Sequence, residues 1–311
     1  MTHLSACLEE LSRRLRPLSD TPDLDAQVLL ARSLNRSRAW LAAHPEARLD
    51  PKPAAALEAS VQRLERGEPL PYVLGEWEFF GLAFEVTPDV LIPRPETELL
   101  VERAIFWLRH RPTLKRRATE AKSAEADSLP RVLDIGTGCG CIAISLAVNV
   151  PGIQVTATDI SPAALEVARR NAVKQHVAEQ IIFLEADLIP ESDRGPLTAD
   201  REVLSTVHGP RSYDLIAANL PYIPTQTLRT LPVYTREPPL ALDGGADGLD
   251  LIRRLLAKAP ALLAPGGLML LEIEASQGPA ILSLAYGAFE QAEIHLHQDL
   301  AGHDRLLEIK I

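Results

Sequence analysis

Apolar positions change their period twice along the chain. Leu4, Leu8, Leu11 and Leu15 recur at helical spacing, and beyond Asp20 a second run carries Leu24, Val28, Leu29 and Leu34 in the same rhythm. Asp50 followed by Pro51 is an N-cap and first-turn pair for a third helix that ends near Gly67. These segments predict a small helical bundle over residues 1–68. Over 69–95 the pattern turns to aromatic and β-branched residues among turn formers (Tyr72, Val73, Trp77, Phe79, Phe80, Phe84, Val86), which predicts a β-hairpin joining two domains.

The remaining residues, 96–311, follow a different plan. Pro95 starts a helix from about 96 to 109, with Leu99, Leu100, Ile105 and Leu108 on its apolar face. Apolar strands at 132–135, 154–158, 181–184, 213–218 and 268–273 then alternate with helical stretches, which predicts a parallel α/β sheet. The runs 292–296 and 306–309 have no helix between them and pair as an antiparallel edge hairpin. Two polar stretches, 110–130 and about 191–211, read as a linker or insertion and a surface loop.

Composition narrows the class. With 46% apolar and 24% charged residues the chain is ordinary globular protein, which excludes wholesale disorder. Three cysteines without framework spacing fit a reducing compartment, so a cytoplasmic location is expected. The first seventeen residues lack an apolar signal region and read as a helix. The longest apolar runs, such as 141–148, fall short of the roughly twenty residues of a membrane span. Charge argues against nucleic acid: 32 Lys and Arg face 42 Asp and Glu, a net charge of −10. Residues 1–75 are balanced, so the whole excess lies beyond them. The stretch 109–122 nevertheless holds six basic residues against Glu120, a local patch that can still touch RNA.

The strongest local signal is Val132-Leu133-Asp134-Ile135-Gly136-Thr137-Gly138-Cys139-Gly140, a buried strand running into a glycine-rich turn before a helix. Glycines let backbone pass close under a ligand, and Asp159, at the end of the next strand, can accept both hydroxyls of a ribose. The spacing is G-x-G-x-G rather than the dinucleotide G-x-G-x-x-G, which favours S-adenosylmethionine. The plain alternative is a tight strand-to-helix turn. Asp187, after the third strand, is placed to contact the adenine with Leu188 against the ring; it serves equally as a solvated helix cap.

The fourth strand, 213–218, runs into Asn219-Leu220-Pro221-Tyr222. Such a tetrad marks methyltransferases acting on a planar NH2 group, whose nitrogen lone pair is delocalised and must be localised to attack. The Asn219 side-chain oxygen and the Leu220 carbonyl can each accept one N–H, Tyr222 can stack, and Pro221 fixes where the carbonyl points. Positioning and electrostatics then carry the rate, without a strong general base. A common Asn-Pro-type turn after a strand is the competing reading.

Beyond these elements the chain resembles the HemK/PrmC family, methyltransferases of the glutamine in the Gly-Gly-Gln motif of peptide chain release factors. The resemblance spans nearly the whole chain and rests on three further stretches: Gly67-Glu68-Pro69-Leu70-Pro71-Tyr72-Val73-Leu74-Gly75, Val90-Leu91-Ile92-Pro93-Arg94-Pro95-Glu96-Thr97-Glu98, and residues 237–249, EPPLALDGGADGL. It implies a Rossmann-like class I S-adenosylmethionine-dependent methyltransferase domain with an N-terminal helical bundle that helps recognise the release factor, joined by a β-hairpin. It implies methyl transfer to the glutamine N5, with Asn219, Leu220, Pro221 and Tyr222 as acceptor site and Gly136, Thr137, Gly138, Cys139, Gly140, Asp159, Asp187, Leu188 and Asn219 at the cofactor. A monomer is expected. One departure is Leu220, where the family usually has proline; Asn-Leu-Pro-Tyr resembles the tetrad of rRNA adenine dimethyltransferases. Another is Glu272-Ile273-Glu274 in place of Glu-x-Gly. An adenine N6 methyltransferase and a non-catalytic cofactor-binding scaffold remain as alternatives.

Other candidates are weaker. Cys139 and Cys141 form only C-x-C and read as small buried residues, and no metal is expected. His176, His295 and His297 read as surface or edge-strand positions. The aromatics Trp77, Phe79, Phe80 and Phe84 are either an acceptor platform or hairpin core, with the core favoured. Arg94, Glu96 and Glu98 either shape the mouth of the site or form a charged first helical turn.

Overall fold

The computed structural model describes residues 3–111, 129–190 and 213–311, which form two units, Met1–Trp77 and Glu78–Ile311. Both polar insertions fall almost wholly outside the described residues.

In the first unit α1 (Leu4–Leu15), α2 (Pro22–Leu34), α3 (Arg38–Ala43) and α4 (Pro51–Glu65) form the expected bundle. Leu4, Leu11 and Leu15 meet Ala26, Leu29 and Leu30 and, from α4, Leu57, Val61 and Leu64 in one buried cluster. Leu24 is 40% exposed, so α2 faces this core through the 26, 29, 30 stripe rather than through residue 24. Asp50 stands at the N-cap of α4 with extended backbone and Pro51 in the first turn, but its side chain accepts no helix N–H.

The predicted hairpin begins later than its residues suggest. Leu70–Leu74 is a short helix, α5, because Pro69 and Pro71 preset φ at its start and Gly75, at φ 75°, closes it in the left-handed region. Tyr72 and Val73 therefore belong to a helix, and the hairpin is confined to β1 (Glu76–Phe79) and β2 (Leu82–Glu85). Phe79 and Phe84 pack edge to face, with ring centroids 6.1 Å apart, and both are buried, which makes them core.

The second unit continues with α6 (Thr97–His110) and then alternates: β3 (Arg131–Ile135), α7 (Cys141–Asn149), β4 (Gln154–Asp159), α8 (Pro162–Lys174), β5 (Ile181–Glu185) and β6 (Tyr213–Ala218). There follow α9 (Thr225–Leu228), α10 (Asp250–Leu256), β7 (Leu263–Glu272), α11 (Gly278–Ala288), β8 (Glu293–Gln298) and β9 (Asp304–Lys310). Seven strands form one sheet in the order β5-β4-β3-β6-β7-β9-β8. β3 to β7 are mutually parallel, while β9 pairs antiparallel with both β7 and β8. This is the Rossmann-like class I methyltransferase arrangement, closed by the expected antiparallel hairpin.

From β3 the chain winds outward through β4 to β5, then returns to lay β6 on the other side of β3. A crevice opens at such a reversal, beyond the carboxyl ends of the strands. Register sharpens the point: Ile135 on β3 lies opposite Ala218 on β6, and Ala218 opposite Leu271 on β7. Gly136, Asn219 and Glu272 are therefore next residues at one level of the sheet.

Candidate active site

Each part of the glycine-rich turn has an identifiable restraint. Asp134, at the buried end of β3, accepts from the Thr137 hydroxyl at 2.7 Å and from the backbone N–H of Ala143 at 3.1 Å, tying the turn to the first turn of α7. Burial pushes its carboxyl up to about 7, against the opposing pull of those two donors. Asp159 accepts the N–H of Gly138 and the N–H of Ser161, each at 2.9 Å. Asn171 of α8 holds the turn from behind, donating to the Cys139 carbonyl at 2.9 Å.

The glycines are required by space. A Cβ on Gly140 would lie 2.7 Å from Cδ1 of Ile144 and 3.2 Å from Cβ of Ala168, so α7 and α8 close on the turn there. On Gly136 it would lie 3.3 Å from Cδ2 of Leu220, the place where the turn meets the tetrad. On Gly138 it would meet nothing within 4 Å, which marks open space above the turn. An adenosine-bearing cofactor fits this cradle: there is room over Gly138, and each Asp159 oxygen keeps a second lone pair for a ribose hydroxyl.

Asp187 pairs with Arg254 of α10 at 2.5 Å, and Leu188 is buried in the core with its carbonyl accepting from the Thr158 hydroxyl at 2.8 Å. Both lie at the end of β5 as the sequence places them. Cys139 and Cys141 neighbour each other, and that contact together with burial holds the Cys141 thiol well above its usual range, so it is no nucleophile at neutral pH. His295 and His297 lie on β8, the edge strand.

Asn219, Leu220, Pro221 and Tyr222 line a pocket of about 210 Å³ together with Leu91, Arg94 and Val233. Asn219 donates from Nδ2 to the Thr97 hydroxyl at 3.0 Å, and its Oδ1 has no partner among the described residues. The Tyr222 hydroxyl is 3.5 Å from Glu272, the outer limit of a hydrogen bond. Burial, then the Glu272 charge, raise the Tyr222 phenol above its ordinary value, so it stays neutral. Leu220 is buried, and its Cδ2 is the atom a Cβ on Gly136 would meet.

Two of the distinctive stretches, 90–98 and 237–249, flank the tetrad. Glu237, itself buried, accepts from the Ile92 N–H at 3.1 Å and from the Arg94 guanidinium at 2.5 Å, latching 90–98 to 237–249 beside the pocket. Arg94 thus shapes the mouth. Glu98 accepts the Phe80 N–H at 2.8 Å, bracing the β1–β2 turn. Gln277 donates from Nε2 to the Tyr222 carbonyl at 3.0 Å and the Gly248 carbonyl at 3.3 Å, fastening the tetrad to the loop behind it. Thr97, Glu237 and Gln277 were not legible as site residues individually. The first two sit inside the stretches already singled out, which was the available signal.

The chain is similar to known proteins over nearly its whole length. A family profile described as the PrmC N-terminal domain matches residues 6–75, and one described as the methyltransferase small domain matches residues 121–197. The release factor glutamine methyltransferase of Moorella thermoacetica is 40% identical over 306 residues, covering 97% of this chain and 96% of its own. Its counterpart from Coxiella burnetii is 37% identical, covering 99% and 98% respectively. The chain belongs to the release factor glutamine methyltransferase family. A solved protein-(glutamine-N5) methyltransferase (release factor-specific) from Alicyclobacillus acidocaldarius is 30% identical, covering 73% of this chain and 98% of that one, at a TM-score of 0.41. Of the three distinctive stretches, 67–75 contains α5, and 90–98 and 237–249 contribute Leu91, Arg94, Ala241 and Leu242 to the pocket. Among the described residues no helix is long and apolar enough to cross a membrane, and no three His, Cys, Asp or Glu side chains group as a metal site.

Proposed function

We propose that the protein transfers a methyl group from S-adenosylmethionine to the side-chain amide nitrogen of the glutamine in the Gly-Gly-Gln motif of peptide chain release factors. The observation that carries this reading is the adjacency of Gly136 and Asn219 at the carboxyl ends of β3 and β6. It sets a cofactor cradle and an amide-recognising tetrad side by side.

S-adenosylmethionine, when bound, supplies a methyl group on a sulfonium centre. Gly136 to Gly140, Asp159 and the end of β5 with Asp187 and Leu188 hold it. Asn219 Oδ1 and the Leu220 carbonyl accept the two amide hydrogens, which draws the nitrogen toward pyramidal geometry and aims its lone pair. Tyr222 stacks on the amide plane, and the apolar walls Leu91 and Val233 exclude water from the reacting nitrogen. As charge develops on nitrogen, the two acceptors stabilise it before any proton leaves. The N-terminal bundle helps recognise the release factor.

Incubation with methyl-labelled cofactor and, separately, a release factor, a variant with its Gly-Gly-Gln glutamine replaced, rRNA and DNA tests the reading. Label in the release factor that disappears in the variant is the expected result. Persistence of label in the variant, or label in nucleic acid alone, overturns it.

A further inference from the structure

Arg94 is restrained in both backbone and side chain. It stands between Pro93 and Pro95 in the segment leading into α6, and a residue that precedes proline is confined to extended backbone. Its carbonyl accepts the Thr97 N–H at 3.1 Å. Its guanidinium donates from Nη2 to Glu237 at 2.5 Å, and the Glu237 side chain, 5% exposed, is fixed in turn by the Ile92 N–H at 3.1 Å. A planar group held in this way points its remaining donors in one direction at little further entropic cost.

Among the described residues lining the acceptor pocket Arg94 alone is charged; apart from Asn219 and Tyr222 the other side chains there are apolar. Among the described residues its side chain makes no hydrogen bond other than the one to Glu237, so the rest of its N–H donors are available to a ligand. Glu237 also decides which group they suit. Its carboxylate offsets the positive charge at close range, which weakens the site for a phosphate or a carboxylate and leaves directed N–H groups. Such donors match a neutral carbonyl oxygen. Segment 231–242, which supplies Val233, Ala241 and Leu242 to the pocket, leaves Leu231, Tyr234 and Leu240 exposed. An apolar segment beside the pocket suits a peptide with uncharged residues around the reacting one, and opposes a phosphate backbone.

We propose that Arg94 binds the substrate by donating to a main-chain carbonyl beside the reactive glutamine, and that Glu237 is a positioning residue that aims it. This rests on the release-factor reading above. The two glycines that precede the glutamine have no Cβ, so their carbonyls can approach a guanidinium closely. The pocket then reads two features of opposite sense: Asn219 and the Leu220 carbonyl accept from the side-chain amide, while Arg94 donates to the chain that carries it. Lysine is no substitute, because an ammonium is a point charge without the planar fork that satisfies Glu237 and a carbonyl together.

Steady-state kinetics with a release factor as the varied substrate and saturating S-adenosylmethionine tests this in the wild type, Arg94→Ala, Arg94→Lys, Glu237→Gln and the double variant Arg94→Ala with Glu237→Gln. Thermal melting and calorimetric binding of S-adenosylhomocysteine accompany each. Arg94→Ala is expected to raise KM roughly ten- to a hundredfold, with a smaller fall in kcat and cofactor-product affinity retained. Arg94→Lys should recover only a small part of that loss. Glu237→Gln should raise KM by less than Arg94→Ala, and adding it to Arg94→Ala should raise KM no further, since it acts through Arg94. The double variant also serves where Arg94→Ala folds poorly, because it removes the buried carboxylate left unpaired. A wild-type KM in folded Arg94→Ala or in the double variant, full recovery by Arg94→Lys, or weakened S-adenosylhomocysteine binding with KM unchanged overturns the proposal while the wild type still methylates release factor. A wild type that methylates no release factor overturns the underlying reading and this proposal with it.

Discussion

A Cβ atom placed on Gly248 would lie 2.2 Å from the carbonyl oxygen of Tyr222, and Gly248 holds φ at 80°. The loop after β6 and the loop before α10 are therefore in backbone contact, with Gln277 bonded to both carbonyls. Gly244 adds a second contact, its Cβ direction meeting the Pro221 carbonyl at 2.8 Å. The glycines of the 243–248 segment support the acceptor tetrad from behind. Gly248→Ala must displace Tyr222 or the loop itself, at a cost of roughly 1–3 kcal/mol in stability. Turnover is expected to fall further than stability, with cofactor affinity retained; chemical denaturation, calorimetry and rate measurement on the one variant check it.

Asn171 carries three bonds to backbone. It accepts the Glu85 N–H at 2.7 Å and donates to the Glu85 and Cys139 carbonyls at 3.0 Å and 2.9 Å. It is fully buried. Asn171→Ala leaves those groups unpaired and is expected to cost roughly 3 kcal/mol or more, each orphaned group contributing about 1–3 kcal/mol. Because one partner belongs to the glycine-rich turn, cofactor affinity should fall as well. Unchanged affinity in a measurably destabilised variant would separate the turn from this anchor.

Asn219→Ala separates acceptor from cofactor recognition. The residue lines the pocket, and its backbone carbonyl lies beside Gly136. Loss of its side chain is expected to reduce kcat by roughly a hundredfold or more and leave cofactor affinity within a few fold. Retained turnover would place the acceptor site elsewhere.

Stability should respond to pH opposite to the usual carboxylate pattern at two sites. Burial holds Asp134 and Glu272 at about 7, above their ordinary 3.8 and 4.5. Between those values the folded chain keeps protons that the unfolded chain has released. Each group thus favours folding fully below its ordinary value, and that contribution is lost as pH rises through about 7. Relative to Glu272→Gln, the wild type is expected to lose roughly 1.4 kcal/mol of stability per pH unit across that window, about 3 kcal/mol in all. Denaturant melts of both proteins at several pH values read the difference; a gain with rising pH has the wrong sign.

Much of this architecture is legible in the amino-acid sequence. Apolar runs alternating with helical stretches located the strands of the parallel sheet and the antiparallel pair, because the strands are buried and their apolar runs are set by burial. The glycine turn and the tetrad were readable because each lies directly beyond a strand and has few alternative explanations. Leu70–Leu74 misled, since aromatic and β-branched content suggested a strand while Pro69, Pro71 and Gly75 dictated a helical turn. Thr97, Glu237 and Gln277 were invisible individually for a different reason. Their work consists of contacts 122, 143 and 55 residues away in sequence. Spacing rules reach only local partners; such pairings require the fold.

Mass spectrometry of a release factor after incubation with the protein and S-adenosylmethionine tests the central claim most directly. The peptide containing Gly-Gly-Gln is expected to gain the mass of one methyl group, with fragmentation placing it on the glutamine side chain. A methyl group on another residue, or an unmodified peptide from a release factor incubated with folded, cofactor-binding protein, would contradict the account.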